Sequence, residues 1–458
     1  MTPPNPSPLT PGSVAGTTRP VPFADDLEPP VFPSLDPNES AERSGSRPSG
    51  NSDVEANGPP IAISKPRLVR VVAGNQYASP TIREQAAVDR AILATSLGDA
   101  LQQAETFQLD LIEIATQKLI TDPVQVRRSD LLIRSTIPGG SVIVCRSRDE
   151  VDMQRSELIS IGSNRIELVN LHFVWAVPAT ETDGGALLSM AENRQVRLTD
   201  CTITIENPSR REEIHAFDIA TDESTASADT VDSSTVTVPT LPLVSIELYN
   251  VIVRGQISMI HMHDAAELQL LWENGLLAVS GRLLETAGSS DRPRPTSGAI
   301  QLSMTRLTAL VPAGLVRMRL TNGAPYPVRI ERKAEESVFV SDRGAPHVEI
   351  SGVSRSDREG TWLRLRGASN AYETDASLSD PLLLVRDEFS QVQTVSMNDL
   401  LGEMPPEWSE EKTPRWVVRW SEPLPERAPP SRLVPADFRQ DGSLVGGFQE
   451  RFLPRLPM

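Results

Sequence analysis

His261-Met262-His263-Asp264 is the one stretch of this chain whose residue types and spacing suit metal chemistry. Side chains alternate along a strand, so His261 and His263 would point to one face and could grip a metal between them. Asp264 is a further oxygen donor beside them. No third ligand stands out at a matching spacing, and paired histidines on a solvated strand are commonplace. The sequence expectation is therefore no metal and no cofactor. His172, His215 and His347 stand alone.

Acids are abundant, so pairs of them carry little information. Sugar hydrolysis needs two carboxylates flanking the scissile bond. Elimination needs acids that hold calcium, together with a basic proton acceptor. The positions that would face outward in successive repeats read Glu167, Arg197, Glu247, Leu271 and Ser303. That is a ladder of alternating charge, suited to stabilising stacked strands, and no catalytic residue is assigned from it. Cys145 and Cys201 fall in different repeats, where a disulfide would need Cα atoms within about 7 Å. Cys201 reads as a thiol at an inward corner. A phosphotransferase reading fails on its parts. No Gly-x-Gly-x-x-Gly loop, His-Arg-Asp or Asp-Phe-Gly is present, and Lys65, Lys118, Lys333 and Lys412 are the only lysines.

The element that must carry these residues is a repeat. Its clearest copies are Arg165-Ile-Glu-Leu-Val-Asn-Leu-His-Phe173 and Gln195-Val-Arg-Leu-Thr-Asp-Cys-Thr-Ile203. It returns at Ile246–Val253 and, more loosely, at Leu270–Gly275 and Leu302–Ala309. Each copy reads as two short strands meeting at a polar corner. Asn and Asp suit that corner because they tolerate left-handed backbone. Ile166, Val196, Ile246, Leu270 and Leu302 are 30, 50, 24 and 32 residues apart. A variable period of that size, built from strands of four to six residues, predicts a solenoid of parallel strands with loops absorbing the variation. Asn170, Asp200, Asn250 and Asn274 would then stack at one corner.

Flanking segments complete the plan. Residues 1–62 are rich in Pro, Ser and acids and lack apolar periodicity, which predicts a disordered tail or tether. Residues 63–106 read as a first strand and a capping helix running from Ser79 through Val88, Ile92 and Leu97 to Ala104. The repeats fill 107–389, interrupted at 207–242 by a polar, low-complexity insertion read as flexible. Residues 390–458, with Trp408, Trp416 and Trp420 among prolines, read as an extension packed on the outside or over the last repeat. The net charge of −17 argues against a nucleic-acid partner. No run of eighteen apolar residues predicts a membrane span.

The stretch Ser96-Leu-Gly-Asp-Ala-Leu-Gln-Gln-Ala104, then Asp110-Leu-Ile-Glu-Ile114, Val124-Gln-Val126 and Leu131-Leu-Ile-Arg134, resembles the entry of right-handed parallel β-helix proteins of the pectate-lyase-like superfamily. It is similar in particular to bacterial β-helix regions of serine/threonine-kinase-related proteins. The usual Gly-Asp ahead of the Ile strand is Leu109-Asp110 here. The resemblance covers roughly 66–385. It implies an all-β, right-handed parallel β-helix with an N-terminal capping helix.

Together these readings predict a non-catalytic binding or scaffolding module that offers an extended sheet face to a protein or glycan ligand. The low aromatic content of 4% favours protein. The resemblance adds a docking or sensory role in a kinase-related system. The alternative is a polysaccharide lyase or glycoside hydrolase whose acids come from loops. If Met1 is the true start the expected compartment is the cytoplasm; an upstream anchor would place the chain outside it.

Overall fold

A left-handed backbone residue recurs once per repeat, and it is the feature around which the strands are organised. Asn170, Asp200, Asn250, Asn274, Arg306, Glu336 and Ser369 all have φ between 49° and 57°. Such backbone is costly for most L-residues and cheapest for Asn and Asp. Three of these side chains are wired together: Asn250 Nδ2 donates to Asp200 Oδ1 and Asn274 Nδ2 to Asn250 Oδ1, both at 2.9 Å. Asn170 instead donates to the Ile137 carbonyl at 3.1 Å. Gly352 and Gly367, whose spacing suggests the same corner, do not occupy it. Gly367 pairs with Ala334, two residues before the corner at Ser369, and Gly352 lies in a strand of the other sheet.

The computed structural model describes residues 65–457 apart from 147–155, 179–183, 192–193, 221–242, 264–266, 291–298, 355–362, 375–380, 388, 397–409, 413, 416–417, 426–427 and 442–445. The expected N-terminal tail at 1–62, most of the 207–242 insertion, Asp264, Trp408 and Trp416 therefore lie outside the described residues. Residues Ile63–Met458 form one compact unit.

The protein is predominantly β, with long parallel sheets. Among the described residues, one sheet has eighteen strands and the other ten. In the larger sheet, one file of parallel strands runs through Leu111–Ile114, Leu131–Ser135, Arg165–Val169, Gln195–Thr199 and the first halves of Leu243–Gly255, Glu267–Val279 and Ala299–Leu310. It ends on Arg329–Glu335, Leu363–Ala368 and Glu410–Lys412. A second file, past the corner, includes Ser141–Cys145, Leu171–Ala176 and Thr202–Glu206. The ten-stranded sheet takes its strands in chain order, each parallel to the last until Pro381–Asp387 meets Val392–Ser396 antiparallel. The arrangement is compatible with a β-helix solenoid.

Register follows the apolar pattern. Ile166 pairs with Val196, Val196 with Ile246, Ile246 with Leu270 and Leu270 with Leu302. All five are fully buried. A one-residue slip would turn this whole file of side chains to solvent, so the apolar positions pin the pairing. The copy at Leu270 is in register without a shift. Its corner is followed by Gly275 because the Trp272 indole occupies the space a Cβ would need. Side chains from both sheets form one continuous core.

At the N-terminal end, the helical spacing read as one helix over Ser79–Ala104 is split. Helix α1 spans Pro80–Asp89 and ends at Arg90 in left-handed backbone. Ala91–Ala94 is a strand paired with Leu68–Val71. Ile92, which fits the helical period, is taken by that ladder: tertiary pairing overrides the local pattern. Helix α2 spans Leu97–Phe107, with Ser96 Oγ accepting from the Asp99 N–H at 3.1 Å. It buries Leu97, Ala100, Leu101 and Ala104 against the first strands.

The C-terminal segment contacts the repeats in two ways. Glu410–Lys412 adds a strand to the larger sheet. Farther on, Leu433, Phe438 and Leu453 cover Ile252, Leu276 and Ala278 on the outer surface. That cover explains why the outward positions of this file are apolar.

Candidate functional site on the ten-stranded sheet

The strands Ile214–Ile219, Ser258–Met262, Leu284–Ala287, Val316–Arg319 and Val348–Val353 lie side by side in the smaller sheet. Their apolar residues, among them Phe217, Ile219, Ile260, Leu284, Val316 and Ile350, enter the core. Alternation turns the residues between them away from it. In register these form a column: Ser189, Asp218, His261, Glu285, Arg317, Glu349.

Three donors converge at that column: Asp218 and His261 within it, and His263 just past the end of the Ser258–Met262 strand. Asp218 Oδ1 lies 3.1 Å from His261 Nδ1 and 2.9 Å from His263 Nε2. The Asp218 side chain is 2% exposed, those of His261 and His263 are 26% and 31% exposed. One donor atom from each residue lies within 4.8 Å of the other two. The His215 ring stacks on that of His261 at 4.6 Å and 12°, and His263 meets the same ring edge-on at 4.2 Å. The two histidines of the His-Met-His stretch are thus brought together, with Asp218 as a third donor that the sequence did not reveal. Asp218 lies 43 residues before His261 in the chain. It stands on Ile214–Ile219, a buried strand of the ten-stranded sheet inside the 207–242 stretch that the sequence reads as a flexible insertion, and it is found only once the pairing of that strand with Ser258–Met262 is known. Asp264 is outside the described residues.

The neighbouring acids are engaged. Ser258 Oγ donates to Glu285 Oε1 at 2.9 Å and Arg317 Nη2 to Glu285 Oε2 at 2.6 Å. Burial pushes the Glu285 carboxyl upward, but Arg317, the Ser258 hydroxyl and His215 outweigh it and hold it below the usual carboxylate range. Arg282 Nη2 reaches Glu349 Oε2 at 2.7 Å. Burial draws the Arg282 guanidinium below its ordinary value despite that partner. The face is a mixed-charge surface in which acids and arginines meet in pairs.

The ladder on the larger sheet has the same character. Glu167, Arg197 and Glu247 stand on three adjacent strands. Arg197 Nε lies 3.8 Å from Glu247 Oε2, and its guanidinium sits 4.7 Å from the centre of the Tyr249 ring. A groove of about 980 Å³ lies where the C-terminal segment crosses the corner file. Its two acids, Glu336 and Glu450, are bound to Arg306 and Arg439 at 3.0 and 2.9 Å.

The remaining singled-out residues serve the interior. His172 is buried, with Nε2 2.7 Å from the Gly139 carbonyl and Nδ1 3.0 Å from Thr202 Oγ1. His347 is buried against the rings of Phe339 and Tyr372. Cys145 and Cys201 are free and buried, and burial pushes each thiol up to about 12. Among the described residues, no helix is long and apolar enough to cross a membrane. No family model matches the chain, and no curated protein or solved structure matches it.

Proposed function

We propose that the chain is a right-handed parallel β-helix of the pectate-lyase-like kind acting as a non-catalytic binding scaffold. It presents an extended, rigid sheet face to a protein or glycan ligand, and the scarcity of aromatic side chains favours protein. Stacked-repeat proteins bind in this way because their long surfaces hold many weak contacts in fixed geometry. The observation that carries the reading is the pairing of acids with arginines: Arg197 with Glu247 and Arg317 with Glu285 across neighbouring strands, and Glu349 with Arg282, which precedes the Leu284–Ala287 strand. A carboxylate tied to a guanidinium on the adjacent strand is poorly placed to act as a general acid or base. The entry motif at 96–134 supports the further reading that the module docks or senses within a kinase-related system.

The test compares wild type with Glu167→Gln and Glu247→Gln on a glycan array and in a turnover screen on uronic-acid polymers. The scaffold reading expects no turnover from any of the three proteins. Turnover by wild type that vanishes in either variant, with melting unchanged, replaces it with the lyase or hydrolase reading.

A further inference from the structure

We propose that Asp218, His261 and His263 form a binding site for a divalent transition metal ion, with zinc as the natural probe. Three observations lead there. The donor set is two imidazoles and one carboxylate, which suits zinc and its neighbours rather than calcium or magnesium. The geometry fits as well. With metal–ligand bonds of about 2.0–2.1 Å, two donors on one ion stand about 3.0 Å apart at a right angle and about 3.3 Å apart at a tetrahedral angle. Asp218 Oδ1 lies 3.1 and 2.9 Å from the two imidazole nitrogens. The two imidazole nitrogens lie within 4.8 Å of each other, so an ion can enter once the imidazoles close on it by side-chain adjustment.

The third observation is the burial of Asp218, whose side chain is 2% exposed. A buried carboxylate demands a positive partner. A divalent ion held jointly with both imidazoles is such a partner. The surroundings hold the donors in place. Asp218 and His261 are paired strand neighbours on a packed sheet, and His215 stacks on the His261 ring. Both histidines reach solvent, so an ion has a path in. Three protein donors leave a coordination position open on that side. An oxygen donor from a bound ligand, such as a carboxylate, is the chemistry that position would accept.

The experiment uses the full chain, stripped with a chelator and dialysed against Zn²⁺, with bound metal counted by elemental analysis. Wild type is expected to retain one zinc per chain and to melt at a higher temperature when loaded. Cobalt(II) in its place should give visible d–d absorption from wild type. His263→Gln, a substitution at a partly exposed position, should weaken binding by more than the roughly 10–100-fold that loss of an outer partner costs. Asp218→Asn, which preserves shape, should do the same, and circular dichroism checks that it is folded. Glu167→Gln, on the other sheet, should bind like wild type. Failure of wild type to retain zinc, or equal retention by wild type and His263→Gln, overturns the proposal.

Discussion

Arg332 and Glu411 meet at 2.7 Å with their side chains 1% and 0% exposed, although 79 residues separate them in the chain. Arg332 stands in a file of core residues, between Leu302 and Leu365. Glu411 arrives on the C-terminal strand that pairs with Leu363–Ala368. The Tyr372 hydroxyl lies 2.6 Å from Arg332 Nη1 and 3.1 Å from Glu411 Oε1, and Asn370 Nδ2 donates to Glu411 Oε1 at 2.7 Å. Burial works against the Arg332 charge, but Tyr372 and Glu411 outweigh it and raise the guanidinium above its ordinary value. Charge in an otherwise apolar file locks the C-terminal segment to the repeats.

Glu411→Gln should therefore be costly, because it leaves a buried guanidinium without its counter-charge. The expected loss is about 3–5 kcal/mol in urea denaturation. The double variant Arg332→Met with Glu411→Leu should recover most of that loss, since an apolar pair of similar volume removes both desolvation penalties. A double variant as unstable as the single one would show that the pair does not act as a unit.

At the surface ladder the outcome should be small and salt-dependent. Arg197→Glu places three like charges on adjacent strands, and it removes the guanidinium from the Tyr249 ring. Exposed pairs of this kind contribute roughly 0.2–1 kcal/mol each. Melting in low and high salt should differ less for wild type than for the variant, because a Debye length of about 8 Å at physiological salt screens only partly at strand spacing.

Two substitutions at Asn250 separate backbone strain from hydrogen bonding. Asn250 has φ 53° and joins Asp200 and Asn274 through its amide. Asn250→Gly keeps the backbone easy and loses the two side-chain bonds, at about 0.5–1.5 kcal/mol each. Asn250→Val loses the same bonds and adds left-handed strain of roughly 1–2 kcal/mol. Thermal melts should rank wild type above Gly and Gly above Val. A Val variant as stable as the Gly variant would remove strain from the account.

Acid should probe the N-terminal end. Burial pushes the Glu113 carboxyl upward, but hydrogen bonds from Arg134 and Arg70 outweigh it and hold it below the ordinary value. A carboxyl depressed in the folded state adds stability above its unfolded pKa of about 4.3. That contribution is lost as pH falls through the lower, folded value. Wild type should thus lose stability below about pH 4.3 more steeply than Glu113→Gln does, as read from denaturant midpoints across that range. Parallel acid limbs would show that Glu113 does not contribute.

What the sequence determined by itself was the repeat and its corner. Strand periodicity is local, so Ile166, Val196, Ile246, Leu270 and Leu302 declare a shared face wherever the strands end up. Asn and Asp at the corner announce the left-handed backbone that Asn170, Asp200, Asn250 and Asn274 adopt. Later corners fall on Arg306, Glu336 and Ser369, residue types that carry no such signal, and there the neighbouring ladder imposes the conformation. Pairing likewise turned Ala91–Ala94 into a strand inside an apparent helical pattern. The ten-stranded sheet has no corner marker, so its register could not be read locally. Only the stacked structure sets Asp218 beside His261 and His263, and Arg332 beside Glu411. Contacts between residues 43 to 79 positions apart depend on how many residues each intervening loop absorbs, a quantity that tertiary packing decides.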